Sequence, residues 1–187
     1  MSTHGPTREE ISTVRARADC LWTREQLEIA CDSMALAITE QLADANPLLL
    51  VVMTGGLVPA AMLLPRLEFP LQVDYIHLTR YGAATVGGNI EWIRRPPTQV
   101  AGRTVLLVDD LLDHGLTLQA AVRECELLGA RSVLTAVLAV KQMDARAGLS
   151  RVDFHAVETP DRYLFGYGMD YKSWWRNGAG IFAVEGS

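Results

Sequence analysis

The chain has 187 residues, 49% of them apolar and 21% charged, with a formal charge of −5. These values exclude a disordered or fibrous chain and point to one domain with a sizeable core. Seventeen basic residues against 22 acidic ones argue against a nucleic-acid partner, whose surface would call for a basic excess.

The first ten residues, MSTHGPTREE, are polar and lack the apolar core of a signal peptide. Cys20, Cys31 and Cys125 show no CxxC and no zinc spacing, so reduced thiols in a cytoplasmic protein are expected. Residues 8–19 and 24–43 mix charged and apolar positions, and in the second Leu27, Ala30, Met34, Leu36 and Ile38 fall near helical spacing. Residues 45–65 carry no charge over a length that spans a bilayer. Pro47, Thr54-Gly55-Gly56 and Pro59 divide that stretch. It reads as a buried strand over Leu48–Met53, a glycine loop and a helix over 58–67, with no membrane partner.

A second strand is expected at 73–78. Residues 79–99 form a long excursion broken by Tyr81-Gly82, Gly87-Gly88-Asn89 and Pro96-Pro97, with a short strand at 89–93 inside it. A third strand follows at 104–108, then a helix over 117–128 with Leu118, Ala121, Val122 and Cys125 on one face and Gly129 as its stop. A fourth strand occupies 133–140. The alternation of strand and helix specifies an α/β fold, a parallel twisted sheet with helices on both faces. After Lys141 the pattern turns irregular, aromatic and glycine-rich. The expectation is a single domain over 1–187, with a core of about 40–145 and a small hood lobe from about 146 to 187, the N-terminal segment packed against the hood. No internal repeat is present.

Residues 105–118 read VLLVDDLLDHGLTL. Four apolar residues run straight into acids, a combination that is costly unless something pairs with the carboxylates. Open α/β sheets bind ligands at the carboxyl ends of their strands, and a loop entering a helix offers backbone N–H groups to an anion. Carboxylates beside such an anion site suit hydroxyl groups, hydrated Mg²⁺ or a transferable proton. A phosphorylated sugar meets both demands.

This stretch resembles the phosphoribosyl-pyrophosphate motif of type I phosphoribosyltransferases, and the chain is similar to the hypoxanthine-guanine phosphoribosyltransferases from about Leu48 to Val184. The resemblance implies that Asp109 and Asp110 hold the ribose hydroxyls and the Mg²⁺ shell, and that Asp113 is the general base near the purine N7. It places the 5′-phosphate on His114, Gly115, Leu116 and Thr117. Two of these depart from the family pattern, which has a small hydroxyl residue at His114 and often a polar or basic one at Leu116. The His114 side chain then either meets the phosphate or turns outward and leaves only its amide in the site.

Three more segments extend the likeness. Met53-Thr54-Gly55-Gly56 resembles the pyrophosphate loop, whose glycine amides face the leaving group and which a non-proline cis peptide precedes, here Met53–Thr54. Thr54 stands where the family commonly has lysine. Arg80-Tyr81 resembles the Ser-Tyr pair of a mobile lid that excludes water from a cation-like sugar, with Arg80 in place of the serine. From Lys141 to Arg176, Lys141 would donate to the purine O6, Tyr163 would stack on the base and Leu164 would meet its edge through the backbone. Asp170 would lie near a second Mg²⁺, making Asp109, Asp110 and Asp170 the metal set, and Arg176 near the pyrophosphate.

The activity so implied is transfer of the 5-phosphoribosyl group to N9 of hypoxanthine or guanine. Mg²⁺ is the cofactor, phosphoribosyl pyrophosphate and a 6-oxopurine are the substrates, and the assembly is a homodimer or homotetramer. Two alternatives stay open: a phosphoribosyltransferase for xanthine or another nucleobase, and a regulator that senses phosphoribosyl pyrophosphate without turning it over.

Overall fold

The computed structural model describes residues 5–80 and 90–187. In chain order the elements are α1 (Arg8–Arg17), β1 (Asp19–Thr23), α2 (Arg24–Leu42), β2 (Leu48–Met53), α3 (Leu57–Leu63), β3 (Gln72–Arg80), β4 (Ile90–Arg94), β5 (Thr104–Leu112), α4 (Leu116–Leu127), β6 (Ser132–Lys141), β7 (Phe154–Thr159), β8 (Leu164–Phe165) and β9 (Gly180–Ala183).

Six strands form one sheet in the order β4-β3-β2-β5-β6-β7. Every pairing is parallel except that of β4, which closes one edge antiparallel to β3. The apolar run of β2 is explained by cover on both faces. Leu49 and Val51 pack with α2 and α3, whereas Leu48, Leu50 and Val52 pack on the side of Leu118, Ala121 and Cys125 from α4. Leu49 and Leu50 are fully buried, which stabilises the fold by roughly 1.5–3 kcal/mol for each side chain.

Helix α2 starts at a capping box: Thr23 Oγ1 accepts from Gln26 N–H at 3.3 Å and Gln26 Oε1 accepts from Thr23 N–H at 2.9 Å. Leu27, Met34 and Ile38 are buried, but Leu36 is 67% exposed. At about 100° per residue Leu36 lies roughly 180° around the helix from Leu27, so it does not join the core stripe.

The main sheet takes more of the chain than the expected core. β7 extends it beyond residue 146, and α2 packs across it. Asp153 fastens the start of this strand, its Oδ2 accepting from the N–H (2.7 Å) and hydroxyl (2.9 Å) of Thr135 on β6. The small lobe is a three-stranded antiparallel sheet, β1-β9-β8, that brings residues 19–23 against 180–183. Its buried Leu164, Met169, Ile181 and Ala183 join the cluster on the α2 face of the large sheet.

Candidate active site

The parallel strands end on one side of the sheet, and a cavity of about 530 Å³ opens there. β5 runs four residues further than the expected strand, so Asp109 and Asp110 sit within it rather than after it. Their carboxyls are carried into the interior on a strand whose other residues are mostly buried. Asp109 is only 7% exposed, and its Oδ1 accepts from the Asp110 N–H at 2.9 Å. Burial, and then the charge of Asp110, pushes the Asp109 carboxyl well above the usual carboxylate range. Burial also raises Asp110, against the opposing pull of its hydrogen bonding with Asp109 and of the Arg176 guanidinium.

Beyond β5 the chain turns at Gly115, with φ of +75°, into the first turn of α4, which has no side-chain cap. The turn is pressed against Gly148-Leu149. A Cβ on Gly115 would collide with the Leu149 backbone and one on Gly148 with the Gly115 backbone. Two hydrogen bonds fix the approach, Gly148 N–H to His114 O at 2.9 Å and Leu149 N–H to Gly115 O at 3.1 Å. Arg146 completes the brace. Its guanidinium donates to the carbonyls of Asp113 (2.9 Å), Ser150 (3.1 Å) and Lys141. Sequence reasoning missed Arg146, whose partners are backbone oxygens that no residue pattern announces.

Lys141, at the end of β6, turns its ammonium to Asp113 Oδ1 at 3.2 Å and to Asp161 Oδ1 at 3.4 Å. The first contact is an ion pair off the hydrogen-bond direction, because Asp113 Oδ1 is buried with no hydrogen-bond partner among the described residues. An acceptor left in this state is ready for a donor from a bound molecule. Asp170 meets Arg176 at 2.6 Å and accepts from the Ser173 N–H at 2.6 Å, and Arg176 stands 3.8 Å from Asp110.

Of the expected residues, Thr54, Asp109, Asp110, Asp113, His114, Gly115, Leu116, Thr117, Asp170 and Arg176 line the cavity together. His114 is exposed there, and His77, which the sequence reading passed over, lies on the same wall. The Met53–Thr54 peptide is cis. Of the two glycines after it, Gly56 gives its amide to Val52 O at 2.8 Å, so its N–H does not face the cavity as expected. Gly55 instead presses its Cα face against the Asp110 carboxylate and its carbonyl against Gly168.

Lys141 reaches the cavity at Asp113, whereas Tyr163, 46% exposed, and Leu164, buried, do not line it. Arg80 closes β3, and Tyr81 lies outside the described residues. The three acids expected to bind metal do not form a ready cage, since among the described residues no group of three or more His, Cys, Asp or Glu side chains is placed to hold an ion. Asp170 is turned to Arg176. A buried acidic pair without a cage suits Mg²⁺, which keeps several waters and takes one or two carboxylates together with substrate phosphates.

The sequence pattern of the phosphoribosyl transferase domain family matches residues 21–174. The chain belongs to the phosphoribosyltransferase family. It is 30% identical over 158 residues to the hypoxanthine-guanine phosphoribosyltransferase of Bacillus subtilis (strain 168), covering 84% of this chain and 87% of that one. It is 29% identical over 157 residues to the hypoxanthine-guanine-xanthine phosphoribosyltransferase of Tritrichomonas foetus, covering 84% and 86%. Among solved structures, a hypoxanthine phosphoribosyltransferase from Staphylococcus aureus superposes with a TM-score of 0.82 at 22% identity, covering 89% of this chain and 91% of that one. The parallel-dominated sheet with helices is therefore the type I phosphoribosyltransferase fold, and no described helix is long and apolar enough to cross a membrane.

Proposed function

We propose that this phosphoribosyltransferase moves the 5-phosphoribosyl group of phosphoribosyl pyrophosphate onto N9 of hypoxanthine or guanine. The observation that carries this reading is the facing pair Lys141–Asp113 at the ends of two adjacent strands, held by one guanidinium beside the α4 N-terminus. An ammonium and a carboxylate 3.2 Å apart offer a donor and an acceptor to one planar ring. A 6-oxopurine presents an O6 acceptor and an N7 proton on the same edge. Adenine presents an amino donor there, which would meet the ammonium unfavourably.

In this reaction the bond from C1′ to the pyrophosphate oxygen breaks, and the departing pyrophosphate keeps the electron pair. The N9 lone pair forms the new bond to C1′. The proton that the base sheds from N7 passes to Asp113. Arg176 neutralises the leaving group, and the backbone N–H groups at the start of α4 hold the 5′-phosphate. Tyr163 stacks on the purine, and the Arg80-Tyr81 segment excludes water from the developing cation. Asp109, Asp110 and Asp170 would hold Mg²⁺, which supplies charge neutralisation of the pyrophosphate when bound. The enzyme works as a homodimer or homotetramer in the cytoplasm. Three free thiols accord with a reducing compartment.

The test is pyrophosphate release from phosphoribosyl pyrophosphate and Mg²⁺ with hypoxanthine, guanine, xanthine, adenine and uracil in parallel. Turnover is expected with hypoxanthine or guanine and not with adenine. Turnover with xanthine alone would favour the activity that the Tritrichomonas foetus relative's name includes. Binding of phosphoribosyl pyrophosphate without turnover of any base would leave a sensor.

A further inference from the structure

Helix α1 lies outside the stretch that the family pattern matches. It contributes no buried residue, and a ten-residue helix is marginal by itself. Its place is explained by what it touches. Glu10, Ile11, Val14 and Arg15 are its half-buried face in the described residues, two pairs at i,i+4 spacing, and this face is turned to the hood.

Four contacts fasten it. Glu10 Oε1 accepts from the Tyr171 hydroxyl at 3.1 Å and from the Lys172 ammonium at 2.6 Å. The Ile11 carbonyl accepts from the Trp175 indole N–H at 2.7 Å. The Arg15 guanidinium lies 3.8 Å from the centre of the Phe182 ring.

The loop on the other side of these contacts has an unusual backbone. Lys172, Ser173 and Trp175 adopt φ of +49°, +75° and +67°, a left-handed conformation that L-residues with side chains avoid and keep only where their surroundings enforce it. Lys172 and Trp175 are two of the residues that α1 holds. The loop also carries Asp170 at its start and Arg176 at its end, joined to each other at 2.6 Å. Tyr171 meets the Tyr163 ring edge-on at 5.7 Å, so the aromatic assigned to the purine face is braced from the same side.

We propose that α1 is a clamp on loop 170–176, with Glu10 as the positioning residue through which it sets affinity for pyrophosphate-bearing ligands. The clamp holds the loop in the arrangement that presents Arg176. Releasing it lowers the fraction of molecules competent to bind, and apparent affinity falls by that fraction. The 5′-phosphate turn is held separately, by Arg146 and Gly148-Leu149, and does not depend on α1. The inference rests on reading Arg176 as a pyrophosphate ligand.

The experiment measures binding of Mg-pyrophosphate and of ribose 5-phosphate to the full chain by calorimetry, with a thermal melt of each variant. The variants are Glu10→Ala, Glu10→Gln, Thr13→Pro, which breaks α1 in its middle, and Arg176→Ala. Glu10→Ala and Thr13→Pro are expected to weaken pyrophosphate roughly tenfold, as when the competent fraction falls to about a tenth. Ribose 5-phosphate affinity should stay unchanged in both, and Glu10→Ala, which removes an exposed pair, should keep the parent's melting temperature. Glu10→Gln, which keeps an oxygen for the Tyr171 hydroxyl, should recover part of the loss. If Arg176→Ala weakens pyrophosphate while the α1 variants bind it normally, the clamp is overturned. Equal weakening of both ligands, or a lowered melting temperature in Glu10→Ala, would assign α1 a structural role and also overturn it. Normal pyrophosphate affinity in Arg176→Ala would remove the ligand reading itself, and the clamp with it.

Discussion

The acidic turn at residues 109–117 and the hood at 160–187 face each other, but they are built by different means. The turn grows from one central strand, β5, and its shape is fixed by backbone bonds to Gly148-Leu149 and by one guanidinium on three carbonyls. The hood closes its own short turns with backbone bonds, among them Gly168 N–H to Arg176 O at 2.9 Å and Tyr171 N–H to Trp174 O at 2.8 Å, but side chains tie it to the N-terminal segment: Arg162 to Asp19, Lys172 to Glu10, Trp175 to the Ile11 carbonyl. A group on the first kind of support keeps its position whether or not ligand is present. A group on the second can be moved by a change in a distant side chain. Chemistry that must be pre-organised therefore belongs on the turn, and grip on substrate can be left to the hood.

That contrast gives its sharpest test at Asp113. Asp113→Asn keeps the shape and removes the base, so turnover should fall by about 100- to 10,000-fold, the usual worth of a positioned acid-base group, while the Michaelis constants move little. Steady-state kinetics with hypoxanthine decide it, and near-normal turnover would take the proton away from Asp113. The hood counterpart is Tyr163→Ala. Loss of one stacking contact costs about 1–3 kcal/mol, and the loss should appear in the Michaelis constant for the base with turnover largely kept. A fall in turnover alone would break the proposed division between the two regions.

Arg146 tests the brace itself. The three carbonyls are reached by three separate guanidinium nitrogens, a spread that the single nitrogen of a lysine cannot match, and each hydrogen bond to a charged group contributes about 1.5–3 kcal/mol. Arg146→Lys should therefore lower kcat/KM about tenfold or more and lower the melting temperature as well. Activity and stability at the native level in that variant would show that backbone contacts alone hold the turn.

The two regions were also unequally legible. β2, β5, β6 and α4 announced themselves through continuous apolar runs or a helical stripe, and the acids stood out because they interrupt such a run. β7 escaped because it is an edge strand whose buried residues, Phe154, Val157 and Thr159, are interrupted by the exposed His155 and Glu158; a search for unbroken apolar runs passes over it. β1 and β9 escaped because their pairing joins segments about 160 residues apart along the chain. In the site, residue types marked the carboxylates and Lys141, but not the Gly56 amide bonded back to Val52, nor Arg146, whose work is done on carbonyl oxygens common to every residue.

The smallest effect expected is at Asp109, and it concerns what the turn costs the fold. Burial first, and the Asp110 charge second, raise this carboxyl above the ordinary range. A carboxyl with a folded pKa above its unfolded value, ~3.9 for aspartate, binds its proton more tightly in the folded state. Its contribution to stability is complete below that unfolded value and is lost as pH rises through the raised one. At any pH above that raised value the uncomplexed protein thus carries an unfavourable charge. Asp109→Asn removes the charge and keeps an oxygen for the Asp110 N–H. Melting curves without ligand or metal should show the variant gaining on the parent by a few degrees as pH rises, with the excess vanishing in acid. The same variant should lose activity, because the charge that burdens the empty fold is the one proposed to hold the ribose hydroxyls and the metal. A variant no more stable than the parent at any pH would mean that Asp109 is already neutral or already compensated, and that the turn's pre-organisation is not obtained at the expense of stability.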